Sequence, residues 1–60
     1  MNHTKILIVE DNPIVAEDIR IKLNHMGYEV VSIATTGKEA IKAADRHHPD
    51  LALMDIMMPG

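Results

Sequence analysis

The sequence predicts an α/β fold in which strand, helix, strand, helix and strand alternate around a parallel sheet. Two observations point there. Continuous apolar runs, Ile6-Leu-Ile-Val9 and Leu51-Ala-Leu-Met54, each end in acidic and turn residues, as strands buried on both faces do. Between them lie two capped segments with helical periodicity and one shorter, more polar strand. Alternation of this kind implies right-handed crossovers and parallel strands.

Met1 to Thr4 is a polar lead-in, and the β-branched run Ile6 to Val9 forms the first strand. Asn12-Pro13 starts the first helix, with Asn as N-cap and Pro at the first helical position, where its missing N–H costs nothing. Glu17 and Asp18 lie early in that helix, on the side its dipole favours. Val15, Ile19, Leu23 and Met26, joined by Ile14 and Ala16, supply the apolar face, and Gly27 stops the helix. The first helix is thus expected over Pro13 to Met26.

Tyr28 to Ala34 reads as a second strand. It is more polar than the first, as an edge strand tends to be. Thr36-Gly-Lys-Glu39 matches a capping box, in which Thr36 accepts from the third helical N–H and Glu39 reaches back. The helix behind it runs to about Arg46 on a modest face of Ala40, Ile41, Ala43 and Ala44. His47-His48-Pro49-Asp50 breaks it, since the residue before proline avoids the helical region. The third strand then leads to Asp55 and a turn at Pro59-Gly60.

Bulk composition narrows the function. A chain of 60 residues is one small domain or part of one, with a thin stability margin. No cysteine is present, so no disulfide is available, and the chain suits a reducing cytoplasm. Net charge is −3 with six scattered Lys and Arg residues, which argues against nucleic-acid binding by this segment. No apolar run approaches the ~20 residues needed to span a bilayer.

The acids carry the chemistry. Glu10 and Asp11 end the first strand and Asp55 ends the third. In open parallel sheets that carboxyl edge is where ligands bind. Carboxylates crowded together repel one another unless a cation joins them. Mg²⁺ suits such a group, because it binds through one or two carboxylates and accepts phosphate oxygens. A carboxylate beside that ion can attack phosphorus and become an aspartyl phosphate. A blander reading stands beside this one: Glu10 and Asp11 serve the following helix dipole, and Asp55 caps a loop. His3, His25, His47 and His48 have no ligand spacing and are expected at the surface. Met54, Met57 and Met58 are expected to pack in core and loop.

Taken together, Ile6-Leu-Ile-Val-Glu-Asp-Asn12, Met26-Gly-Tyr28, Thr36-Gly-Lys-Glu-Ala40 and Pro49-Asp-Leu-Ala-Leu-Met-Asp-Ile-Met-Met-Pro59 resemble the N-terminal half of a response-regulator receiver domain. This is the phosphoryl-accepting module of two-component signalling. The motifs fall in family order across nearly the whole chain. The resemblance implies a three-layer, flavodoxin-like parallel sheet with strand order 2-1-3 in the portion present. It implies Asp55 as phosphoacceptor and Glu10 and Asp11 as the acidic pair holding Mg²⁺, Asp11 directly and Glu10 through water. Met57 would offer its backbone carbonyl to the metal. A sensor histidine kinase or phosphotransfer protein would be the phosphodonor in the parent protein, in the cytoplasm, and the module would not be a stand-alone enzyme.

The family's hydroxyl residue after strand four and its lysine after strand five have no counterpart in these residues. Residues 1–60 are therefore expected to be a partial receiver domain with impaired phosphorylation. The outer edge of the third strand is expected to be unpaired, which suggests a homo-oligomer joined antiparallel through that edge. The alternative function is a self-associating fragment or designed scaffold that signals nothing.

Overall fold

The structure, a computed structural model, describes residues 3–55. Its elements are β1 (Lys5–Glu10), α1 (Pro13–His25), β2 (Glu29–Ala34), α2 (Gly37–His47) and β3 (Leu51–Asp55). All strands are parallel, in the order β2-β1-β3. The expected architecture and strand order are present, with boundaries shifted by a residue or so. Central β1 is buried along Ile6, Leu7, Ile8 and Val9, each 2% exposed or less.

The two faces of β1 make two cores. Ile6 and Ile8 meet Ala16, Ile19 and Leu23 of α1, together with Val30 and Ile33 of β2. Leu7 and Val9 meet Ala34 and the Ala40, Ala43 and Ala44 stripe of α2. Small alanines let that helix approach the sheet closely. Val30 and Ile33 share a face although their spacing is odd. The β1–β2 register slips there: Ile6 pairs with Val30 but Leu7 with Ser32. Val31 is the extra residue, and a bulge of this kind reverses the alternation beyond it.

Both helix faces differ from the periodicity reading. On α1, Ile14 is 80% exposed and Met26 67%, and Val15 also lies at the surface. Of the expected face, Ala16, Ile19 and Leu23 do the packing. On α2, Ile41 is exposed. The cause is positional: α1 and α2 rest on β1 and β2 alone, so the surface they cover is narrow and only part of each apolar stripe reaches it.

The helix ends follow the sequence closely. Asn12 Oδ1 accepts from the N–H groups of Ile14 (2.9 Å) and Val15 (3.4 Å), with Pro13 at the first position. Gly27 follows α1 at φ 94°, a conformation L side chains rarely adopt. Glu17 and Asp18 lie beyond the first turn and pair with Arg20 and Lys22 respectively. Thr36 Oγ1 accepts from the Glu39 N–H at 3.1 Å. Glu39, however, reaches past Thr36 to Thr35, whose N–H and hydroxyl both donate to Oε1 at 3.0 Å. His48 caps α2 in the left-handed region, at φ 48°. At the amino end of the sheet, Asp50 clamps β3 to β1: its N–H donates to the Lys5 carbonyl and its carboxylate accepts from the Lys5 N–H, both at 2.8 Å.

Candidate functional site

Because the strands are parallel, their carboxyl ends gather at one edge. Glu10, the last residue of β1, is the register partner of Asp55, the last of β3. Adjacent strands run about 4.8 Å apart, so the two backbones bring these acids side by side. Asp11 is exposed in the turn that leads into α1. The three acids picked from the sequence thus fall at neighbouring backbone positions, although Glu10 and Asp55 are 45 positions apart in the sequence.

Glu10 is 2% exposed, which is unusual for a glutamate. Its Oε1 accepts from the Asn12 N–H at 3.1 Å. Asn12 therefore does two jobs: its side chain caps α1 while its backbone N–H fixes the buried carboxylate. The sequence exposed the first of these through the Asn-Pro pair, whereas a main-chain contact carries no residue signature. Asp11, exposed beside it, is the carboxylate open to solvent.

The side chain of Asp55 lies outside the described residues, as do Met57, Met58 and the turn at Pro59-Gly60. Among the described residues, no three acidic or histidine side chains converge as a ligand set. His3, His25 and His48 are exposed and His47 is half-buried, and none stands in such a group. Among the described residues no helix is long and apolar enough to cross a membrane.

Oxygen donors of this kind suit a hard cation such as Mg²⁺. At this edge Glu10 is the enclosed acid, held by the Asn12 N–H, and Asp11 the exposed one; these are the described carboxylates that could hold such an ion.

Comparison with known proteins identifies the family. The family model described as response regulator receiver domain matches residues 6–60. The chain is 42% identical over 92% of its length to the transcriptional regulatory protein PdtaR of Mycobacterium tuberculosis, covering 27% of that protein. It is 38% identical over 93% of its length to the transcriptional regulatory protein KdpE of the same species, covering 24%. It is 38% identical over 92% to the alkaline phosphatase synthesis transcriptional regulatory protein PhoP of Bacillus subtilis, covering 22%. The chain spans about a quarter of the length of these relatives. With motifs, topology and family match in agreement, the chain belongs to the receiver domains of two-component response regulators.

Proposed function

We propose that these residues form the metal-and-acceptor portion of a receiver domain, with Asp55 as the phosphoacceptor. The observation that carries this reading is the register pairing of Glu10 with Asp55, which adds the acceptor position to the Glu10–Asp11 turn. A carboxylate oxygen of Asp55 attacks phosphorus as the P–N bond of a phosphohistidine breaks. The imidazole keeps the electron pair and takes up a proton. Mg²⁺, when bound, neutralises charge on the transferring oxygens. Asp11 would hold that ion directly, and Glu10, fixed by the Asn12 N–H, would act on it through water. The Met57 carbonyl is assigned to the same ion. A cytoplasmic histidine kinase or phosphotransfer protein supplies the phosphoryl group.

A cation facing the phosphoryl oxygens would stabilise the product of this transfer. The test is incubation with Mg²⁺ and a small acyl phosphate, followed by mass measurement. A base-labile phosphoryl adduct on Asp55 that disappears in Asp55→Asn is the expected result. An adduct undiminished in Asp55→Asn would show that another residue is the acceptor.

A second reading rests on a separate observation. Neither helix packs on β3, and Leu51, Leu53 and Met54 are 53%, 38% and 60% exposed. Such an edge favours self-association of this 60-residue chain. If no adduct forms in the folded protein, the assembly role is the one supported.

A further inference from the structure

Asn12 carries no charge, yet its backbone meets the enclosed acid of the candidate cation site. Its N–H donates to Glu10 Oε1 at 3.1 Å. The direction of that N–H is set by the main chain at Asp11 and Asn12, so whatever holds Asn12 also aims the donor at Glu10.

Three restraints hold it. Asn12 Oδ1 accepts from the Ile14 and Val15 N–H groups at 2.9 and 3.4 Å. Its carbonyl accepts from the Ala16 N–H at 2.9 Å. Pro13 follows, and the residue before a proline is driven out of the helical region; Asn12 accordingly lies in the extended region, at φ −97° and ψ 114°. Ala16 in turn is 1% exposed and packs with Ile6 and Ile8. The first turn of α1 is thereby fixed to the same strand that carries Glu10, and the link between strand and helix is tied at both ends.

We infer that Asn12 is the positioning residue of the cation site: by capping α1 it holds the Glu10 carboxylate where an ion can use it, without being a ligand itself. The inference rests on the cation reading given above. A carboxylate ordered by folding loses little further freedom when the ion binds, which favours affinity. A cap that served the helix alone would add stability and leave that affinity unchanged.

The test is a Mn²⁺ titration of the 60-residue chain, read as broadening of the Asp11 amide, with Mg²⁺ as competitor. Asn12→Ala removes the cap oxygen and Asn12→Ser keeps one. Thr36→Ala removes the corresponding cap of α2, where the Thr36 hydroxyl accepts from the Glu39 N–H. Expected is an affinity lowered about three- to tenfold in Asn12→Ala, and within about twofold of the wild-type chain in Asn12→Ser and Thr36→Ala. Glu10→Gln keeps the acceptor but removes its charge, and in that background Asn12→Ala is expected to change affinity by less than about twofold. Without metal, the Asn12 and Ile14 amides of the wild-type chain are expected to exchange through one shared opening, with equal dependence on denaturant.

Unchanged affinity in Asn12→Ala, an equal loss in Thr36→Ala, or an undiminished effect in the Glu10→Gln background overturns the proposal and leaves the cation site standing. Free exchange at Asn12 beside a protected Ile14 overturns it as well, and that comparison stands even if Asn12→Ala fails to fold. Absence of broadening at Asp11 in the wild-type chain removes the cation reading, and this inference with it.

Discussion

At the residue scale, the start of α2 shows how local chemistry sets a boundary. Thr36 supplies the cap, and its loss in Thr36→Ala is expected to cost about 1 kcal/mol, measurable by denaturant unfolding. Glu39 is held below its ordinary value, because the Thr35 N–H and then the Thr35 hydroxyl donate to it, with Lys42 nearby. A depressed folded value means that its stabilisation is present above the unfolded value and lost as pH falls through the folded one. Amide exchange at Thr35 is therefore expected to quicken on the acid side of the ordinary glutamate range, and Glu39→Gln is expected to flatten that profile. His48 holds a left-handed conformation that costs an L residue about 1–2 kcal/mol. His48→Gly is accordingly expected to raise stability by up to about 1 kcal/mol, offset in part by glycine's freedom in the unfolded chain. No change or a loss on thermal unfolding would contradict that account of the cap.

At the element scale, α1 approaches β1 through Ala16, which is 1% exposed. Ala16→Leu is expected to destabilise by about 1–3 kcal/mol through overpacking, whereas Ile14→Ala, at an exposed position, should change little. Element order and type were legible because caps, breakers and apolar runs are local features. Asn12-Pro13, Thr36 and His48-Pro49 mark their boundaries in the chain itself. The buried faces were only partly legible. Val15 and Met26 are as apolar as their neighbours, and only the position of α1 over β1 and β2 decides which of them is covered. The slip at Val31 left no trace, since Glu29-Val-Val-Ser-Ile-Ala34 alternates equally well without it. Within the site, Glu10, Asp11 and Asp55 were legible as strand-end acids. The Asn12 N–H that fixes Glu10 belongs to the main chain and was not.

At the scale of the whole molecule, one edge of the sheet carries acids and one flank carries exposed apolar residues. Leu51, Leu53 and Met54 lie uncovered on β3, while β1 beside it is almost completely buried. Sedimentation of the 60-residue chain is expected to show concentration-dependent dimers at micromolar protein, shifted towards monomer by Leu53→Lys. A cooperatively melting monomer throughout that range would contradict self-association.

The central claim is that Glu10, Asp11 and Asp55 act as one divalent-cation site at the carboxyl edge of the sheet. Its most direct test is a Mn²⁺ titration followed by paramagnetic broadening of assigned amides, with Mg²⁺ as competitor. The account predicts broadening centred on Asp11 and Asp55, reversed by Mg²⁺ and weakened by about tenfold or more in Asp11→Asn and in Asp55→Asn. Broadening centred elsewhere, or unchanged in both variants, would contradict it.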